Sequence, residues 1–451
     1  MMEHNNLEVI KWLEKLLHER FNLELRLRYL REKYIITIKD LDSCIIFDNL
    51  NKNFFQSSDE LKYNEWDAVE QGWNVLIGQK LPMPGGDIKN NLIIEICNEN
   101  YLIHYDILGL AFWMLTRIEE INYKNLDEHN RFQGKRSHAH RHGYLSRPIV
   151  DEWFDILSQV IKRVWPNIII KTPKPAIIVT CDVDNPFAYD IKFKSLPRSI
   201  AKNLVRQKSI TNAFNTCKNF FLGSSKIYTE DPYINNINWI MDVNEKVGHQ
   251  VIFYFLAGGS HKFDGTYTLK DSRIKALMRD IITRGHKIGL HPSYESYRNP
   301  MILGSEVIAL RNALSDLGSG ETNLESRQHF LRWHPIETPN FLQNTGVFCD
   351  SSLGYADLPG FRCGTAHEYQ MFDAKRRSLI NLRQRPLIVM ESSLIEHRYM
   401  GLGYSEATLD HILEYRSNAI KCGGQFVMLW HNSSFEELNS YEIYKKIINF
   451  I

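Results

Sequence analysis

The stretch AIIVTCDVDNPF, residues 176–187, runs five apolar or β-branched residues into two aspartates one residue apart, Asp182 and Asp184, with Pro186 following. Two carboxylates delivered side by side at a strand end need not share a role. One could ligate a divalent metal while the other, held off the metal, serves as a base. A metal held by histidine and carboxylate ligands lowers the pKa of water toward ~7 and polarises a carbonyl. A nearby carboxylate then takes the water proton, and an imidazole on the far side protonates the leaving group. That chemistry suits hydrolysis of an amide or ester. Taken alone, an Asp-x-Asp pair equally caps a helix or closes a turn, so the surrounding elements decide.

From Pro175 onward, strand-like runs alternate with helical ones. The strand candidates are AIIVTCD, HQVIFYFLA, HKIGLH, SRQHFL, VFCDSS, PLIVME and QFVMLWH. Between them lie INWIMDVNEKV, RIKALMRDIIT, SEVIALRNALSDL and LDHILEYRSNAIKC. Seven strands with crossover helices predict a parallel sheet, closed as a barrel or open. Polar residues fall at the strand ends: Asp182 and Asp184, then His291, Arg327 with His329, Asp350, Glu391 and His431. C-terminal strand ends converge on one face in parallel α/β folds, and active sites are built there.

Residues 1–170 read differently, as an α+β unit. LEVIKWLEKLLHERF has helical spacing, while LELRLRYL and KYIITI alternate with period two. DILGLAFWMLTRIEEI is apolar on most sides and predicts a buried helix. The proline-rich PNIIIKTPKP reads as a linker and sets the domain boundary near 170, leaving 171–451 to the parallel-sheet domain. The whole chain has 451 residues, enough for two or three domains, with an ordinary globular composition and a net charge of +1. Nothing in that balance points to nucleic acid. There is no apolar run of membrane-spanning length, no secretion-signal pattern at the N-terminus, and no C-x-x-C among the seven cysteines. The expectation is a cytoplasmic protein with reduced thiols.

Taken in order, TCDVD, GHKIGLHPS, SRQHF and LWHNSS resemble the successive motifs of the polysaccharide deacetylase superfamily, the NodB-homology or carbohydrate esterase 4-like group. CDSSLGYADLPGFRCGT and DILGLAFWMLTRIEE resemble a branch with an extra N-terminal domain. The resemblance implies a distorted seven-stranded (β/α) barrel. It implies Asp182 as catalytic base, Arg327 as the group that steers it, and His431 as general acid. It implies metal ligation by Asp184 and His291. The second metal histidine of the family, four residues after the first, falls on Glu295, an oxygen ligand still competent for zinc or a similar ion. The fourth motif keeps Asp350 but has Leu353 at its second acidic position, which leaves Glu391 as a candidate for orienting His431.

Arg362, in the glycine-punctuated GFRCGT, is a candidate anchor for a substrate carboxylate or phosphate. His329 and Trp430 are further candidate substrate-binding residues. The histidines of SHAHRH, 137–142, read as a solvated loop more readily than as a separate metal site. Ile191 to Thr229 holds eight basic residues and no acidic one, with apolar residues interleaved. It reads as a solvated helical hairpin, with peripheral contact to an anionic membrane surface or a pyrophosphate-linked substrate as the functional alternative. The reading as a whole is a metal-assisted de-N-acetylase, with zinc, acting on an acetamido sugar or glycan intermediate, nucleotide- or lipid-linked. The alternatives are amide hydrolysis of a non-sugar substrate on the same fold, and a carbohydrate-binding protein without catalysis.

Overall fold

A computed structural model describes residues 7–56, 61–87, 92–171, 173–188, 231–435 and 437–449. The basic stretch from Ile191 to Thr229 lies outside them.

The chain opens with helix α1 (Leu7–Phe21), whose Val9, Trp12, Leu13, Leu16 and Leu17 recur at helical spacing and are all buried. Strands β1 (Leu25–Leu30), β2 (Lys33–Ile38) and β3 (Ile45–Phe47) follow. A separate hairpin pairs β4 (Tyr63–Trp66) with β5 (Leu81–Pro84). Strands β6 (Ile94–Cys97) and β7 (Asn100–Ile103) complete a five-stranded sheet of order β1-β2-β3-β7-β6. Helix α2 (Ile107–Leu115) is buried on every side, as its composition requires. Its N-cap Asp106 accepts from Gly109 N at 2.7 Å. Helix α3 (Ile149–Val164) is amphipathic and packs on β3, β5 and β7.

The second sheet begins at β8 (Ala176–Val183) and continues through α4 (Pro232–Lys246), β9 (Val251–Leu256), α5 (Ser272–Thr283), β10 (Lys287–His291), α6 (Pro300–Asp316), β11 (Glu325–Ser326), α7 (Glu337–Asn344) and β12 (Cys349–Asp350). A hairpin of β13 (Tyr369–Asp373) and β14 (Ser378–Gln384) precedes β15 (Val389–Met390), α8 (Glu406–Lys421), β16 (Gln425–Leu429) and α9 (Leu438–Ile448). The sheet order is β13-β14-β12-β11-β10-β9-β8-β16-β15, parallel throughout except for β13.

This corrects the seven-stranded barrel in two respects. The β13–β14 hairpin adds two strands, and no ladder joins β15 to β14 among the described residues, so the sheet is not closed. It is nevertheless rolled. Laid flat at the usual strand spacing, β14 and β15 would stand about 34 Å apart. The chain passes from Gln384 to Val389 in five residue steps, which reach about 18 Å at most. β14 and β15 are therefore drawn toward each other, and the strand ends gather around one cleft.

The two regions share one continuous core. Trp12 Nε1 donates to Gln370 O at 2.8 Å, and Arg20 reaches Asp151 Oδ1 at 2.7 Å, which also accepts from Thr365 Oγ1 at 2.6 Å. Deeper in the seam, Arg362 makes a two-pronged bond to Glu120 at 2.9 and 2.6 Å, and Arg117 meets the same carboxylate at 2.8 Å. Buried carboxylates held this way tie the end of α2 to the loop after β12.

Candidate active site and metal centre

Asp182 and Asp184 leave the end of β8 at successive same-face positions, and their neighbours come from three other strand ends, those of β10, β11 and β16. Asp182 is buried, and its Oδ1 accepts from Arg327 Nη1 at 3.1 Å. The Arg327 guanidinium is itself fully enclosed: it donates to Thr180 Oγ1 at 2.6 Å, to Ser351 O at 3.0 Å and to Ser351 Oγ at 2.9 Å. Its plane lies over the Tyr254 ring, 4.7 Å from the centroid. The base candidate is thus held by an arginine with no freedom to move.

Asp184, His291 and His329 form a cluster whose ligand atoms all lie within 4.8 Å of one another. From Asp184 Oδ1, His291 Nε2 is 3.1 Å away and His329 Nε2 is 3.6 Å away. That oxygen is buried and has no well-formed hydrogen bond. The far nitrogens of both rings are engaged, His291 Nδ1 at 2.5 Å from Arg327 O and His329 Nδ1 at 3.1 Å from Asp264 Oδ1. Acceptors there place the proton on Nδ1 and leave both Nε2 lone pairs aimed at one point, the arrangement of metal-bound histidines. Two imidazole nitrogens and one carboxylate oxygen, itself the buried acceptor without a well-formed bond, fit a divalent ion of the zinc type. Burial would raise the Asp184 carboxyl, yet His329 and His291 hold it well below its ordinary value. Without an ion, burial would likewise lower His329, but Asp184 and Asp264 lift it to about 9, so an ion taken up by the cluster would displace a proton from its Nε2.

His431 follows β16. Its Nδ1 sits 2.6 Å from Glu391 Oε1, and the same oxygen accepts from His431 N at 3.1 Å and Ser434 Oγ at 2.8 Å. Its Nε2 therefore faces the cluster, 3.8 Å from Asp184 Oδ2. Burial would depress this imidazole, but Glu391, then Asp184 and Asp182, raise it to about 10. Glu391 stays ionised: burial would raise it, and His431 and Ser434 hold it below its ordinary value. Glu391 thus does the orienting. Asp350, the other carboxylate considered, is turned to Ser326 and Ser352 and is pushed up to about 6 by burial.

Three expected site residues stand elsewhere. Glu295 does not join the cluster; its side chain is 55% exposed and lies 3.5 Å from Arg332. The chain turns at Pro292 into a 3-10 turn that Glu295 caps, so the four-residue spacing that would align two ligands on a helix does not do so here. His329, placed among the substrate contacts from sequence, is the third member of the cluster with Asp184 and His291. Arg362 is sealed in the seam against Glu120 and Gly354 O and does not line the cleft. Trp430 is buried among Phe435 and Tyr444, with Nε1 donating to Ser434 O at 3.2 Å. The loop histidine His138 is structural, with Nδ1 2.6 Å from Tyr144 Oη and Nε2 2.9 Å from Leu61 O.

Two contributors were not foreseen. Asp264, from the loop after β9, accepts from Tyr294 N at 2.8 Å and His261 N at 3.0 Å and so presents its carboxylate to His329. Arg131, from the N-terminal region, lines the cleft. No local pattern marks either residue. The cleft has a volume of ≈ 210 Å³ and holds Asp182, Asp184, His291, His329 and His431 on its floor.

Fold and site together define a mixed α/β protein with a candidate metal centre flanked by a carboxylate and an imidazole. Residues 2–166 match a family of unknown function (DUF7033). No curated protein matches the chain. A Mycobacterium smegmatis protein assigned as a polysaccharide deacetylase is similar over 61% of this chain and 84% of its own, at 16% identity and a TM-score of 0.38. Puue allantoinase is similar over 47% of this chain at 11% identity and a TM-score of 0.34, and the match spans 65% of that protein. Likeness at this level says nothing about the substrate of this chain. Among the described residues no helix is long and apolar enough to cross a membrane.

Proposed function

We propose that the chain is a metal-assisted hydrolase that removes an acetyl group from an acetamido sugar, most simply with zinc at Asp184, His291 and His329. The observation that carries this reading is the pairing of two differently prepared groups around one cluster. Asp182 is ion-paired to Arg327, while His431 is ion-paired to Glu391. A divalent ion at the cluster would supply Lewis acidity toward a carbonyl oxygen and toward water. Asp182 Oδ2, 3.8 Å from His291 Nε2 and not engaged by Arg327, accepts the proton of the attacking water. His431, protonated and with Nδ1 fixed by Glu391, donates from Nε2 to the departing amine nitrogen. Phe330 and Leu331 in the cleft wall exclude bulk water from part of that path.

The sugar substrate and the biosynthetic setting rest on the motif resemblance, as do the accessory role of residues 1–170, the cytoplasmic location and membrane contact through residues 191–229. The test is acetate release from a panel of N-acetylated sugars, free, nucleotide-linked and lipid-linked, with the metal-loaded full chain and again after chelation. Asp182→Asn keeps the shape and removes the base, and turnover should fall ~100-fold or more with metal content intact. Acetate release that survives both chelation and Asp182→Asn would overturn the proposal.

A further inference from the structure

Resting on that reading, we infer that the N-terminal region completes the substrate cleft with Arg131, and that Arg131 and Arg398 select substrates bearing an oxyanion, a carboxylate or a phosphate. Arg131 arises from the loop DEHNRF, 127–132, some two hundred positions before the residues it meets. Its side chain is nearly buried, at 9% exposed, and held in one orientation. Nε donates to Asp127 Oδ2 at 2.7 Å, Nη1 to Phe330 O at 2.9 Å and Nη2 to Tyr399 Oη at 3.3 Å. A guanidinium has five N–H donors. Three are used, which leaves one on each terminal nitrogen of a side chain that lines the cleft, the kind of donor that charge-assisted bonds to a carboxylate or phosphate use.

Arg398 meets the same tyrosine, its guanidinium 4.8 Å from the Tyr399 ring centroid. It also lines the cleft, and its side chain is 56% exposed. Among the described residues its ion pair is with Glu396, at 2.5 Å. Each arginine thus already has a carboxylate partner, Asp127 or Glu396, so neither presents an uncompensated charge to the cleft. What it offers is direction: unused N–H donors on two guanidinium groups that share Tyr399. Such forks discriminate planar or tetrahedral oxyanions from hydroxyls. The backbone supports the assignment. Phe330 and Leu331 both have positive φ, 61° and 53°, a conformation that bulky residues adopt only where their surroundings hold them in it. The Arg131 bond to Phe330 O helps hold that turn, so the loop that brings the arginine also shapes the wall it serves.

The test is calorimetric binding to the metal-loaded full chain of three probes: N-acetylglucosamine, its 1-phosphate, and N-acetylmuramic acid. The acidic probes should bind roughly tenfold or more tighter than the neutral one, with the advantage lost in Arg131→Gln and reduced in Arg398→Gln. A preference for the phosphate probe alone, or the carboxylate probe alone, names the source. Arg398 is half exposed, so its variant reports even if Arg131→Gln misfolds. Equal binding of all three probes, binding of none, or equal weakening of all three in both variants would overturn the inference and leave Arg131 a strut for Phe330. Binding is measured apart from turnover. Selective binding without acetate release would sink the hydrolase reading alone; acetate release without selectivity would sink only this one.

Discussion

Glu391→Gln separates the charge that tunes His431 from the shape that positions it. In the native chain the imidazole stands at about 10 against an ordinary 6.5. At about 1.4 kcal/mol per tenfold change, that gap is worth ~5 kcal/mol in favour of the protonated ring. Burial opposes it, so the favourable interactions exceed that figure, and Glu391 heads them, ahead of Asp184 and Asp182. Glutamine keeps an acceptor for His431 Nδ1–H and for Ser434 but removes the charge. Its amide nitrogen would replace Oε2, which is buried and without a partner, at a cost of ~1–3 kcal/mol in stability. The His431 Cε1–H resonance, followed by NMR in chelator-treated protein, should titrate above pH ~9 in the native chain and about two pH units or more lower in the variant. In metal-loaded enzyme the alkaline limb of the rate profile should move the same way, and amide turnover near pH 8 should fall about twofold for a shift of about two pH units and about tenfold for three, with metal content unchanged. A His431 titration that stays within about half a pH unit of the native one would refute the coupling on which the acid assignment rests.

Metal affinity, measured by equilibrium dialysis with zinc and by the visible spectrum of the cobalt form, should fall ~100-fold or more in His329→Ala and stay unchanged in Glu295→Ala; the opposite order would restore Glu295 as the ligand. Arg362→Leu removes one partner of a buried carboxylate and should cost ~3–5 kcal/mol in urea unfolding, while KM of the folded enzyme holds. A raised KM with native stability would return Arg362 to the substrate. Asp106 is held at about 7 by burial against an ordinary 3.8, so the folded chain binds a proton that the unfolded chain has released. Its contribution is full below pH ~4 and is lost as pH rises to ~7, by up to about 4 kcal/mol. Urea midpoints of Asp106→Asn should therefore decline less steeply across that window than those of the native chain, and parallel slopes would count against the burial argument.

Much of the site is legible in the strand ends, because a strand is a local object. Alternation places Asp182 and Asp184 on one face of β8, and the parallel rhythm of apolar runs and helices brings the ends of β8, β10 and β16 to one rim, with His291 and His431 on it. What the chain does between elements is not local. Whether Glu295 or His329 completes the metal cluster depends on the path of the turn after Pro292, which a spacing rule taken from helices misstates. Whether Asp350 or Glu391 orients His431 depends on which side of the rolled sheet each strand end faces. The β13–β14 hairpin packs on α1, and the seam that absorbs Arg362 forms just beyond the end of α2, contacts that no local pattern announces. Arg131 reaches the cleft only because the N-terminal region docks there. Sequence by itself determined which chemical groups stand at the strand ends; the tertiary structure decided which of them meet, because contacts across hundreds of residues are settled by how the two regions bury their shared core.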